Sequence, residues 1–257
     1  PEEVAALNQA LADAGLNAEL ILGVPPMATA ALRRWMDGFD LDANKGHRLM
    51  LLYPERYYGD DLLVCSLLEV AEASPVPVYV HGLFMRHGRG GTYDFSAEVV
   101  NRLAEHPMVI GMKEENTTLA GAFALCSQLD HADFDVIVAG GSMRRHNLLR
   151  PLGVGSLLAG VGNLVPEVEL GYVDQVNQGR LDRADWIIRH IETPFFDAFM
   201  GIGWHRGLRG GLRHLGLACH HDRQPWPTLS EAEAETIAAA IAAAQSAWDD
   251  RQRSWGD

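Results

Sequence analysis

Lysine is almost missing from this chain, which holds Lys45 and Lys113 against 19 arginines in 257 residues. Cysteine is scarce too. Cys65, Cys126 and Cys219 stand far apart with no CxxC spacing, which excludes a disulfide scaffold and a zinc knuckle and suits a reducing, cytoplasmic compartment. No apolar run approaches the roughly 18 residues of a membrane span, and no signal peptide is visible. Positive charge is in deficit: the formal net charge of −13 argues against non-specific binding to nucleic acid or acidic membranes. What remains, 47% apolar and 21% charged residues, is the balance of an ordinary soluble globule. A chain of this length buries roughly 70–75% of its unfolded surface without staples.

The lysine count sharpens the search for chemistry. A solvated cation can be either residue, so a composition biased toward arginine leaves most positions indifferent. A lysine kept against that bias is worth inspection, because lysine can lose its proton and attack a carbon while arginine cannot. Lys45 sits in the polar loop Asp42-Ala-Asn-Lys-Gly-His47 and reads as incidental. Lys113 ends the apolar run Met108-Val-Ile-Gly-Met112, which reads as a buried strand.

Strands and helices alternate along the chain. Pro1-Glu-Glu-Val opens a helix with proline and acids in its first turn and Val4, Leu7 and Leu11 at helical spacing. Strands are predicted at 20–24, 48–53, 76–81, 108–113, 134–139 and 156–159, with helices at 28–39, 60–73, 96–105, 118–129 and 144–152 between them and another from Pro166. Continuous apolar strands between amphipathic helices imply a parallel sheet covered on both faces. Beyond Gly179 the pattern turns helical, over 181–200, 205–215 and 230–248, and Ser230-Glu-Ala-Glu233 is a capping box. The expected domains are therefore 1–179, a β/α portion, and 180–257, helices packed on it. Six visible strands fit an open doubly wound sheet, or a (β/α)8 TIM barrel whose first strand, helix and strand lie ahead of Pro1. The helical start favours the α/β barrel.

In parallel α/β folds chemistry collects at the carboxyl ends of strands, here Tyr53, His81, Lys113, Gly140-Gly141-Ser142 and Gly160. A lysine at the end of a buried strand loses part of its hydration, which favours the neutral amine that attacks carbonyls. The alternative is an ion pair with Glu114 or Glu115. The glycines of His87-Gly-Arg-Gly-Gly91 lack Gly-Lys-Ser/Thr and do not run from strand into helix, so they read as a lid, not a nucleotide loop. His220-His221 lacks the spacing of a metal site. No metal and no cofactor are expected.

Four segments in order resemble the dihydrodipicolinate synthase / N-acetylneuraminate lyase family of class I, pyruvate-handling aldolases. Val109-Ile-Gly-Met-Lys-Glu114 resembles the family strand I-G-[IM]-K-[ED]. Gly153-Val-Gly-Ser-Leu-Leu-Ala-Gly-Val-Gly-Asn-Leu-Val-Pro166 resembles G-x-x-G-x-I-S-x-x-A-N-x-x-P. Val136-Ile-Val-Ala-Gly-Gly141 resembles the strand ending in S-G-D-D, and Pro77-Val-Tyr-Val-His-Gly-Leu-Phe-Met-Arg-His-Gly88 aligns without gaps to P-x-x-x-Y-N-x-P-x-R-T-G. The resemblance implies a Schiff-base lyase or synthase acting on pyruvate or a related 2-keto acid, with Lys113 as the imine-forming residue. It also implies a homotetramer or homodimer. Arg86 takes the place of an arginine that holds the substrate's distal polar group. Gly140 and Leu158 fall where backbone groups orient the adduct, and Tyr57-Tyr58 resembles a tyrosine pair of which one joins a proton relay.

The departures are as informative. The family's relay tyrosine becomes His81, its serine Ala159, its asparagine Gly82 and its proline Phe84. The Thr-Thr loop of the family would lie before Pro1. Histidine can move protons, so His81 is expected to do so, unless it only packs. Tyr79 points to the same side, deeper, as a weaker substitute. The alternatives are a catalytically degenerate member that binds a small acid, or an imine-dependent sugar-acid dehydratase.

Overall fold

The computed structural model describes residues 2–16, 18–24, 27–38, 47–52, 59–82, 94–158, 160–217 and 227–255. These fall into two compact units: Pro1–Gly140 with Arg145–Leu157, and Gly141–Arg144 with Leu158–Asp257.

The first unit alternates α1 (Glu2–Asp13), β1 (Ile21–Gly23), α2 (Thr29–Asp37), β2 (Arg48–Leu52), α3 (Asp60–Glu72), β3 (Val78–His81), α4 (Ala97–Ala104), β4 (Val109–Glu114), α5 (Leu119–Cys126), β5 (Asp135–Val138), α6 (Ser142–Leu149) and β6 (Ser156–Leu157). The first residues of α6, up to Arg144, belong to the second unit. All six strands are parallel, and their order in the sheet is their order in the chain. A doubly wound sheet reverses its order at a switch point. This sheet does not, so the open alternative falls away. Six consecutive parallel strands, in the order a β/α barrel would have, are described. Closure into eight would need two more.

Two-residue periodicity decides which side chains meet the helices. Leu49, Leu51, Val78, Val80, Met112, Val136 and Val138 are buried on one face, in one cluster with Leu63 and Leu67 of α3, Val99, Val100 and Leu103 of α4, and Ala122 and Leu125 of α5. Side-chain caps set where two of these helices begin. Ser96 accepts from the Val99 amide at 3.3 Å and Thr118 from the Gly121 amide at 3.0 Å.

One member of the helix-side face is charged. Glu114 is fully buried among apolar neighbours. Arg145 of α6 reaches both of its oxygens, at 3.1 and 2.8 Å, and also donates to the Asn116 carbonyl at 2.9 Å. The Asn116 amide adds a third donor to the carboxylate at 2.7 Å. Burial, the largest influence, still pushes the Glu114 carboxyl above its usual value against these partners.

The second unit is helical: α7 (Pro166–Asn177), α8 (Leu181–Ile187), a π-turn (Ile188–Glu192), α9 (Thr193–Ile202), α10 (Trp204–His214) and α11 (Glu231–Trp255). Tyr172, Ile187, Ile191, Phe195 and Phe199 are fully buried, and the last two stack at 4.1 Å between centroids. At Gly171 an added Cβ would lie 2.0 Å from the Trp248 ring, so only glycine admits this approach of α7 to α11. The capping box forms as expected: the Ser230 amide donates to Glu233 at 2.8 Å and the Glu233 amide to Ser230 Oγ at 3.3 Å.

Several boundaries differ from the sequence expectation. The first unit ends at Leu157, and α7 groups with the C-terminal helices, where Gly171 lies against Trp248. The single helix expected over 181–200 is interrupted by the π-turn. The last helix runs past Trp248 to Trp255, where Arg251 stacks over the rings of Trp186 and Trp255. No described helix is long and apolar enough to cross a membrane.

Replacing Arg145 by Met strands the Glu114 carboxylate in an apolar site, which costs about 3–5 kcal/mol where a buried pair loses one partner. Urea unfolding of Arg145→Met should show that loss. The double variant Glu114→Leu/Arg145→Met should recover most of it.

Candidate active site

The face of the sheet opposite the helices carries polar side chains in rungs fixed by the register. One rung runs Leu52, His81, Lys113, Ile137 and Ser156. The rung below it runs Met50, Tyr79, Gly111 and Asp135. His81 and Lys113 are thus neighbours on adjacent strands, at the carboxyl ends of β3 and β4.

Glu115 ties them together. Its Oε2 lies 2.8 Å from His81 Nε2 and 3.1 Å from Lys113 Nζ. All three side chains are mostly buried, at 10% exposure for His81, 17% for Lys113 and 20% for Glu115. Burial, the largest single influence, raises the Glu115 carboxyl. The His81 hydrogen bond and the charge and hydrogen bond of Lys113 outweigh it and hold the group below its usual value. Glu115 is therefore a carboxylate at neutral pH. The ion-pair alternative for Lys113 is realised, and Glu115, not Glu114, is the partner. Gly140 makes room for it: a Cβ there would come within 3.3 Å of Glu115 Cγ, and the residue's φ is +62°.

Tyr79 on the rung below is paired with a carboxylate. Its hydroxyl donates to Asp135 Oδ2 at 3.0 Å, and its pKa is pushed up to about 12, first by burial and then by Asp135. The ring reaches across Gly111, where a Cβ would sit 2.6 Å from the ring and 2.4 Å from the Asp135 carbonyl. Tyr79, the weaker substitute expected from the sequence, has its hydroxyl proton engaged by the Asp135 carboxylate.

Residues 70–244 match the model of the Dihydrodipicolinate synthetase family. The chain belongs to that family. Among curated relatives it is 27% identical over 165 residues to a 4-hydroxy-tetrahydrodipicolinate synthase of Methanosphaerula palustris, covering 64% of this chain and 53% of the relative. It is 28% identical over 181 residues to the enzyme of that name from Gluconobacter oxydans, covering 70% of this chain and 57% of the relative. The matches thus span little more than half the length of these relatives. Solved structures are similar in fold at lower identity. One, described as the first monomeric dihydrodipicolinate synthase variant, has a TM-score of 0.82 at 18% identity and covers 95% of this chain and 80% of that one. Another, a prophage protein of the same family from E. coli K12 in complex with pyruvate, has a TM-score of 0.78 at 16% identity and covers 95% of this chain and 81% of that one.

Against the dihydrodipicolinate synthetase pattern, the other expected site residues divide between the two units. Leu158 belongs to the second, and its carbonyl accepts from Ser142 Oγ at 3.2 Å. Ser142 follows two glycines of positive φ and itself has φ +40°, a conformation uncommon for a residue with a side chain. Tyr58, Arg86 and Ala159 lie outside the described residues. Sequence reasoning passed over Ser142 as a partner for Leu158. Among the described residues no three of His, Cys, Asp and Glu are grouped to hold a metal.

It also passed over Glu192, the last residue of the π-turn. Glu192 is buried and accepts the amides of Met143 at 2.7 Å and Arg144 at 3.1 Å, at the start of α6. Burial, the largest influence, and the charge of Glu169 push its carboxyl up to about 7, against the two amides and Arg144. The folded state then binds this proton more tightly than the unfolded chain. Stability falls as pH rises from about 4.5 to about 7, by as much as about 3 kcal/mol at roughly 1.4 kcal/mol per unit. Denaturant midpoints at pH 5 and pH 8 should show this loss in the parent chain and a smaller one in Glu192→Gln.

Proposed function

We propose that this chain is a Schiff-base lyase or synthase of the class I aldolase type, with pyruvate or a related 2-keto acid as substrate and Lys113 as nucleophile. The observation that carries the reading is the placement of Lys113 at the carboxyl end of β4, on one rung with His81. The family, and the pyruvate bound to one structural neighbour, support that substrate class. The relatives' name, 4-hydroxy-tetrahydrodipicolinate synthase, supports the synthase direction.

In this reading the Lys113 amine adds to the substrate ketone and water leaves. The protonated imine withdraws electrons from the adjoining carbon, so a carbon–carbon bond next to it breaks or forms. His81 carries protons to and from the substrate as that happens. Donors near Gly140 and the carbonyl of Leu158 orient the adduct, Arg86 holds the distal polar group, and Tyr58 joins the relay. The proposal includes a complete (β/α)8 barrel, with two strands beyond the six described, and assembly into a homotetramer or homodimer. Light scattering should give a multiple of 28.2 kDa for this chain.

A second reading is supported by His81 in the tyrosine position and by the Lys113–Glu115 pair. It is a degenerate member that binds a small acid without forming an imine. Incubation with pyruvate and borohydride, followed by intact mass, separates the two. The enzyme reading expects a covalent adduct that maps to Lys113 and disappears in Lys113→Arg. Binding of pyruvate without an adduct would favour the degenerate member.

A further inference from the structure

The imine chemistry proposed above leaves Glu115 without a task. Its position is unlike that of a surface acid. One oxygen, Oε2, faces both Lys113 Nζ at 3.1 Å and His81 Nε2 at 2.8 Å. The backbone has cleared space for it at Gly140, where a side chain would press on Glu115 Cγ at 3.3 Å. The neighbouring acid, Glu114, faces the helices and is occupied by Arg145, so it has no access to the lysine.

We propose that Glu115 is a catalytic residue, the carboxylate that takes the protons from Lys113 nitrogen during imine formation and returns them to the departing oxygen. The inference rests on the Schiff-base reading. A lysine held as ammonium has no lone pair to attack with, and Glu115 Oε2 lies within the roughly 2.6–3.2 Å reach of direct proton transfer. His81 Nε2–H, donating to that same oxygen, fixes the carboxylate in line with the nitrogen.

The steps balance. The Lys113 ammonium gives one proton to Oε2, and the free amine forms a carbon–nitrogen bond to the substrate ketone. The former carbonyl oxygen takes that proton from Glu115 and becomes a hydroxyl. The nitrogen gives a second proton to Glu115, which passes it to the hydroxyl as the carbon–oxygen bond breaks. Water leaves, a protonated imine remains on Lys113, and Glu115 is again a carboxylate. Two protons have moved from nitrogen to oxygen, with no outside acid or base consumed. This divides the labour of the site: Glu115 serves the lysine, and His81 serves the substrate carbons.

The test is the rate of adduct formation in the full chain, measured by adding pyruvate, quenching with borohydride at timed intervals and reading intact mass. The parent chain should form the Lys113 adduct. Glu115→Gln, which keeps the shape but not the base, should form it about 100-fold more slowly or worse. In Glu115→Ala, formate added to the solution should restore part of the rate, because a small carboxylate can occupy the vacated space. An adduct that forms equally fast in Glu115→Gln overturns the role of Glu115 and leaves the Schiff-base reading standing. Slow variants that formate does not accelerate also overturn it, since the carboxylate would then only shape the site. No adduct in the parent chain overturns both readings.

Discussion

The two-residue period of a single strand governs this molecule. Lys113, Glu114 and Glu115 are consecutive, and alternation sends Lys113 and Glu115 to one face of the sheet and Glu114 to the other. On the helix side Glu114 lies on the same face as Val80, Val136 and Val138 and would be prohibitive without Arg145. On the opposite side Glu115 meets a lysine and a histidine. A slip of one residue in β4 would exchange the two acids, burying the lysine against the helices and placing Glu114 beside His81. The pairing of β4 with β3 and β5 is therefore a constraint on chemistry as well as on packing.

The two glutamates show how environment separates groups of identical structure. Both lose hydration, and in both that loss is the largest influence. For Glu114 it prevails and the carboxyl titrates high, despite an arginine nitrogen bonded to both of its oxygens. For Glu115 two partners converge on one oxygen, the site is less deeply buried, and the carboxyl titrates low. The first is suited to fastening a helix to a strand. The second stays ionised, which is the state a proton acceptor needs.

Much of the architecture is legible in the sequence, because its signals are local. Apolar runs mark all six strands, and Ser96, Thr118 and Ser230 mark helix starts that the structure bears out with hydrogen bonds. The rarity of lysine by itself singles out Lys113. What escapes is set by tertiary geometry. In the sequence Glu115 reads as a bland ion-pair partner, and nothing local says that its oxygen is shared with a histidine 34 residues earlier. Glu192 sits in a stretch that reads as uninterrupted helix, and its proximity to the Met143 amide, across 49 residues, has no sequence signature. Leu158 enters the proposed site through a backbone carbonyl, so the serine that donates to that carbonyl is invisible to an argument from side chains.

The tyrosine on the same face is held differently from the histidine that the proposed mechanism uses. Tyr79 lies one rung below His81, close enough in sequence to stand in for a missing relay tyrosine. Its ring, however, is laid over Gly111 and its hydroxyl is committed to Asp135, a carboxylate that stabilises the protonated phenol and opposes its ionisation. Burial and Asp135 together make the Tyr79 phenol harder to ionise than an ordinary tyrosine. His81 also faces a carboxylate, Glu115, at 2.8 Å, and imidazole is a side chain that serves as both proton donor and acceptor. With Tyr79 serving as a fixed brace across β3, β4 and β5, the upper rung is where proton movement can occur, and the lysine is on that rung.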